Sequence, residues 1–123
     1  MFNKRKQGAQ YEQQARLFLE RQGLQFIAAN QTFPGGELDL IMSDGKTTVF
    51  VEVRQRSDDR FGAAWESVST QKQQRWVRAA EQWLLQRRQN PETSDFRFDL
   101  ITFEPQHSGA EPLWFKHFIE FNY

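Results

Sequence analysis

A chain of 123 residues holding 12 Phe, 4 Trp and 2 Tyr is long enough to bury one modest core, and a single folded domain over residues 1–123 is expected rather than a disordered chain. Lacking cysteine, it has neither a disulfide framework nor a thiolate metal site; no apolar segment follows the basic start MFNKRKQGAQ and no run approaches the roughly 18 residues of a membrane span, so a cytoplasmic location is expected. Sixteen Lys and Arg balance sixteen Asp and Glu, which excludes the overall basic surplus of many nucleic-acid binders and leaves charge to be read locally.

Tyr11, Ala15, Phe18, Leu19 and Gln22 recur at helical spacing, and Gly23 stands where a helix ends in a left-handed residue, which predicts a first helix over about 6–22. LQFIAAN, residues 24–30, is short, apolar and closed by a turn residue; it predicts a strand leading into the loop QTFPG. GELDLIMSDGKTTVFVEVRQR, residues 36–56, predicts two strands, about 36–42 and 47–54, around an Asp44–Gly45 turn. Residues 55–66, QRSDDRFGAAWE, follow neither period and read as an exposed loop. Thr70 and Gln73 have capping-box spacing, and Trp76, Val77, Ala80, Trp83 and Leu84 form the apolar face of a second helix ending near Arg88, before the Asn90–Pro91 step. FRFDLITF (96–103) and LWFKHFIEF (113–121) are rich in strand formers, with the long turn EPQHSGAEP between them.

The order is α, β, β, β, α, β, β. A helix between strands 47–54 and 96–103 is the connection that parallel neighbours need, while the 36–54 hairpin is antiparallel. The expected fold class is α/β, a mixed sheet flanked by helices.

Strand alternation places Val49, Val51 and Val53 on one face and Phe50, Glu52 and Arg54 on the other; on the preceding strand Leu38, Leu40 and Met42 oppose Glu37, Asp39 and Ile41. With the aliphatic faces turned to a common core, Glu37, Asp39, Glu52 and Arg54 gather on the opposite side. The bland interpretation is a solvated face on which Glu52 and Arg54 are charge partners. Phe50 and Ile41 imply partial burial there, however, and clustered carboxylates in a partly dry site call for a cation; Mg²⁺ commonly takes one or two carboxylates plus waters and phosphate oxygens.

Residues 71–88 carry Lys72, Arg75, Arg78, Arg87 and Arg88 against Glu81 alone, which is either a solvated helix face or a phosphate-binding one. His107 and His117 are ten residues apart, one in a turn and one in a strand, and read as surface and packing residues. Gly35–Gly36 reads as a turn. No nucleophile elbow, phosphate loop or dinucleotide fingerprint is present.

Asp39 on one strand, a short turn, then Glu52-Val53-Arg54 on the next resembles the core signature of the PD-(D/E)xK nuclease superfamily. A longer run is more specific: Gly8, Glu12, Ala15, Leu19, Gly23, Ile27 and Asn30; Gly36-Glu37-Leu38-Asp39-Leu40-Ile41; Phe50-Val51-Glu52-Val53-Arg54 with Arg56; Phe61-Gly62, Val68, Lys72, Ala79 and Leu84; and Arg97-Phe98-Asp99. In this order and spacing it resembles the bacterial YraN-like family of small uncharacterised proteins, over about residues 8–103. The resemblance implies a restriction-endonuclease-like mixed β-sheet flanked by helices and a nucleic-acid substrate. Carried over by position, Asp39 and Glu52 are metal ligands, the carbonyl of Val53 a third, and Glu12 an outer or direct ligand. The superfamily usually has Lys where this chain has Arg54; a guanidinium stays protonated and cannot act as a base, although it can orient phosphate and stabilise developing negative charge.

The function so implied is a Mg²⁺- or Mn²⁺-dependent phosphodiesterase acting on DNA, branched or structured DNA included, with Asp39, Glu52, Arg54 and Glu37 at the reacting centre and Arg56, Arg60, Lys72, Arg75 and Arg78 on the nucleic-acid backbone. The alternatives are a non-catalytic nucleic-acid-binding module of the same fold and a protein-interaction adaptor.

Overall fold

The computed structural model describes residues 4–55, 69–103 and 111–119. Its elements run α1 (Lys4–Arg21), β1 (Gln25–Phe33), β2 (Gly36–Asp44), β3 (Thr47–Gln55), α2 (Thr70–Gln86), β4 (Phe96–Phe103) and β5 (Leu113–Phe115). The five strands form one sheet in sequence order. β1–β2, β2–β3 and β4–β5 are antiparallel and β3–β4 is parallel, so the mixed sheet and its parallel pair are as the connections require.

Local chemistry sets the element ends. Gly23, at φ 98°, ends α1 in a Schellman motif: the Leu24 N–H donates to the Leu19 carbonyl at 3.0 Å and the Gly23 N–H to that of Glu20 at 3.0 Å. The β2–β3 loop is the two-residue Gly45–Lys46, since Asp44 pairs with Thr47, and Gly45 takes the left-handed position at φ 61°. The cap of α2 is Ser69, one residue before the Thr70 of the expected capping box; its Oγ accepts from the Lys72 N–H at 3.2 Å. Past its last residue, Gln86, the helix is closed off by Arg88, held at φ 60°, with the Gln89 N–H donating to the Leu84 carbonyl at 2.9 Å. β5 is shorter than the expected strand 113–121: Lys116–His117 turns the chain, with His117 at φ 53°.

Both faces of the sheet are buried, and this departs from the alternation expected of the hairpin. On one face α1 (Ala15, Phe18, Leu19) covers Leu40, Met42, Val49, Val51, Ile101 and Phe103. On the other, α2 (Trp76, Ala79, Ala80, Trp83, Leu84) covers Leu38, Ile41, Phe50, Phe96 and Phe98, with Phe50 edge-on to Trp83 at 5.7 Å between ring centroids. Ile41 and Phe50 are therefore core residues, 0% and 1% exposed, and not half-buried ones. Leu38 packs in the α2 cluster and not with Leu40 and Met42, which pack under α1. Gln22, added to the α1 face by period, is exposed.

Gly36 is more than a turn residue. Its own φ is not left-handed, but a Cβ there would stand 2.6 Å from the Arg75 carbonyl oxygen and 3.1 Å from the Ala79 Cβ. Glycine thus lets α2 lie directly on the start of β2. At the opposite end of the sheet a buried polar cluster ties β4 to its neighbours: the Arg97 guanidinium donates to Asp99 and, through Nη1 at 3.0 Å, to Asp44. Asp99 also accepts from the Trp114 indole at 3.0 Å and the His117 backbone N–H at 3.1 Å. Each charge in it is paired or hydrogen-bonded, as burial demands.

Candidate active site

Pairing between β2 and β3 runs from Asp44↔Thr47 to Leu40↔Val51 and stops. Beyond that point β2 stays with β1 through Gln31↔Leu38, Thr32↔Glu37 and Phe33↔Gly36, while β3 stays with β4 as far as Gln55↔Phe103. The sheet therefore opens between two strand pairs. At the fork, Asp39 replaces a backbone partner with its side chain: Oδ2 accepts from the Val53 N–H at 3.1 Å. On β1 the register places Asn30 opposite Asp39, and Asn30 has the left-handed φ of 54°, a conformation rare inside a strand and concentrated at functional sites.

The opening is the floor of a cleft of about 1010 Å³, walled by α1, the β1–β2 turn, the end of β3 and the first turns of α2. Glu12, Glu37, Asp39 and Glu52 line it, as do the cations Arg54, Lys72 and Arg75. Glu52 is 2% exposed, and its Oε1 is buried without a hydrogen-bond partner. Its pKa is raised well above that of a free carboxyl, first by burial, then by the neighbouring Asp39 charge and a hydrogen bond shared with Asp39; Arg54 opposes the shift only in part. Glu12 is also raised, by burial and by Asp39, against a hydrogen bond from Asn30 that lowers it. Among the described residues no ion pair joins Glu52 to Arg54. The guanidinium of Arg54 lies instead over the Trp76 ring, Cζ 5.4 Å from its centroid, with Nε buried and unpartnered.

The cleft thus unites Glu12, Glu37, Asp39, Glu52, Val53, Arg54, Lys72 and Arg75. Arg78 is exposed on α2 away from the cleft wall. Arg56, Arg60 and His107 lie outside the described residues. His117 acts through its backbone N–H on Asp99 and does not line the cleft.

Among the described residues no three His, Asp or Glu side chains converge closely enough to hold an ion together. Asp39 and Glu52, which share a hydrogen bond, could hold an ion as a pair, and Glu12 lies near enough to Asp39 to feel its charge. A two-carboxylate site suits Mg²⁺, which keeps several waters and takes substrate oxygens. The unpartnered Oε1 beside a second carboxylate is the donor set a cation satisfies.

That Trp76 lines the cleft and that α2 lies directly on Gly36 could not be read from the sequence. Trp76 fits the apolar period of α2 and reads as core alone; its spacing of four from Lys72 puts both on the cleft side. Gly36 was hidden by its neighbour Gly35, which is the actual left-handed turn residue at φ 84°.

The chain matches the family model described as "Uncharacterised protein family UPF0102" over residues 11–103. A UPF0102 protein of Mannheimia succiniciproducens is 61% identical over 117 residues, covering 95% of this chain and 97% of that protein. Another, of Actinobacillus pleuropneumoniae serotype 5b, is 56% identical over 94% of this chain and 93% of its own length. A third, of Pasteurella multocida, is 55% identical, with 95% and 97% covered.

Proposed function

The chain belongs to the UPF0102 family, and from that premise we propose that it is a Mg²⁺- or Mn²⁺-dependent phosphodiesterase of the PD-(D/E)xK type, acting on DNA. One observation carries the reading: a buried Glu52 whose Oε1 has no partner, set beside Asp39 in a cleft walled by Arg54, Lys72 and Arg75. A carboxylate pair at the floor and cations on the wall are what a metal-assisted phosphoryl reaction needs.

Asp39 and Glu52 would hold the ion, with the Val53 carbonyl as a third ligand. When bound, the metal supplies charge for the phosphoryl oxygen and lowers the pKa of a coordinated water. Arg54 donates to the non-bridging oxygens of the scissile phosphate and counters the charge that builds there. It cannot take the proton of the attacking water, which leaves that role to solvent or to the carboxylates at the rim, Glu12 and Glu37. Lys72 and Arg75 hold the flanking phosphates.

The test is cleavage of flapped, branched, single-stranded and linear DNA in Mn²⁺ by wild type, Asp39→Ala, Glu52→Ala, Arg54→Ala and Arg54→Lys. The two carboxylate variants should lose activity. Arg54→Ala should slow cleavage by ~10², and Arg54→Lys should retain or raise it. Cleavage that survives unchanged in Glu52→Ala is contamination and sinks the proposal. Salt-sensitive DNA binding by wild type and Arg54→Lys with no cleavage by either replaces the enzyme with a binding module, the reading that the protonated guanidinium at the usual lysine position favours.

A further inference from the structure

We infer that Trp76 is a positioning residue for Arg54, holding the guanidinium flat so that its N–H edge faces an incoming phosphoryl oxygen. This rests on the phosphodiester reading given above for the same cleft. Arg54 follows the point at which β2 leaves β3, and no described carboxylate forms an ion pair with it. A long, flexible side chain in that place would sample many rotamers. Among the described residues it is the Trp76 ring that lies under its charge, with Cζ 5.4 Å from the ring centroid.

Trp76 suits the task because it does not move freely. It is 6% exposed, packed among the α2 core residues and 5.8 Å from the Phe118 ring centroid. A guanidinium lying over a ring turns its face to the ring and keeps its N–H edge for an acceptor. That edge includes Nε, which is buried and lacks an acceptor. A buried donor without a partner is costly until one arrives, and a phosphoryl oxygen in the cleft is of the right kind. The same helix carries Lys72 and Arg75 on the cleft wall, so one rigid element sets both the phosphate-holding cations and the platform. Trp76 therefore has two functions, core packing and orientation of Arg54.

The experiment uses the full chain as wild type, Trp76→Phe, Trp76→Leu, Arg54→Ala and the Trp76→Leu/Arg54→Ala double variant. In the free protein, the ¹H–¹⁵N resonance of Arg54 Nε should be ring-current shifted and slow to exchange. Trp76→Leu should collapse the shift and speed the exchange, and Trp76→Phe should keep part of both. In cleavage assays Trp76→Leu should lower kcat about tenfold with KM little changed, as a misplaced catalytic group does. Trp76→Phe should recover most of that loss, and Trp76→Leu should cost nothing further once Arg54 is alanine. An Arg54 Nε signal that is the same in wild type and Trp76→Leu overturns the inference, as does a full additive loss in the double variant. If Trp76→Leu does not fold, the Trp76→Phe resonance decides: a signal unchanged from wild type, or one already that of a free arginine in wild type, is fatal. If wild type cleaves no DNA, the phosphodiester reading fails while the resonance still answers for Trp76.

Discussion

At the scale of single residues, Glu52 sets function against stability. Its carboxyl is buried beside Asp39 and binds its proton more tightly in the folded protein than in the unfolded chain. Between the ordinary carboxylate pKa and the raised folded one, the folded state holds more protons than the unfolded, so stability falls as pH rises through that window and is fully retained only below it. Glu52→Gln, which keeps the shape and removes the titration, should melt several degrees above wild type at pH 8 and close to it near pH 4, followed by circular dichroism. Mg²⁺ should narrow the pH 8 gap by raising wild type alone, since an ion that binds only the folded state stabilises it by mass action. A wild type more stable at pH 8 than Glu52→Gln would show that the side chain is paired after all. That Glu52 and Asp39 meet was legible from alternation and motif, because both follow from position along a strand. The unpartnered oxygen was not, since it depends on what surrounds the carboxyl in three dimensions. The same limit hid the Arg97–Asp99 cluster: residues 97 and 99 on one strand face could be read, but not Asp44, Trp114 and His117 converging on them.

At the scale of elements, the cleft exists because α2 sits close on β2 and because β2 and β3 part company. Periodicity revealed α2 and its buried face well, since an apolar stripe is a property of local sequence. The fork was invisible to it: the end of a pairing ladder depends on which partner each strand follows, and Leu38 changing faces is its signature. The contact at Gly36 is the point of control. Gly36→Ala puts a methyl 2.6 Å from a backbone oxygen that cannot swing aside, so α2 must shift. The expected cost is about 1–3 kcal/mol in a denaturant titration, with weaker DNA binding because Lys72 and Arg75 move with the helix. Gly8→Ala, whose methyl meets nothing, is the control for stability and should leave it unchanged or raise it by a few tenths of a kcal/mol through helix propensity. Equal behaviour of the two variants would mean that α2 is not seated as tightly as its contact with β2 requires.

At the scale of the whole molecule, the formal net charge of +0 conceals a division of labour. Among the described residues no helix is long and apolar enough to cross a membrane, and the element order and parallel pair were legible because connection rules leave few alternatives. What the charge does could not be read from its total. Carboxylates line the floor of the cleft while Lys72 and Arg75 stand on its wall, with Arg78 further along the exposed side of α2 and Arg87 at its far end, stacked 4.5 Å over Trp83. A polyanion guided into the cleft should therefore feel these four cations in order of their distance from its floor, although each contributes equally to net charge. Each phosphate neutralised on duplex DNA releases counterions and adds roughly −0.9 to the slope of log affinity against log salt. Reversal to Glu at Lys72 or Arg75 should flatten that slope by about one contact each and weaken cleavage as well. Arg78→Glu should flatten it less and leave the cleavage rate at saturating DNA unchanged. Arg87→Glu should alter neither. Fluorescence anisotropy with a labelled duplex, titrated with KCl in Mg²⁺-free buffer, measures the slopes without needing any cut. Four equal effects would mean that DNA responds to overall charge and not to the cleft, and four null effects would reduce the α2 cluster to a solvated helix face.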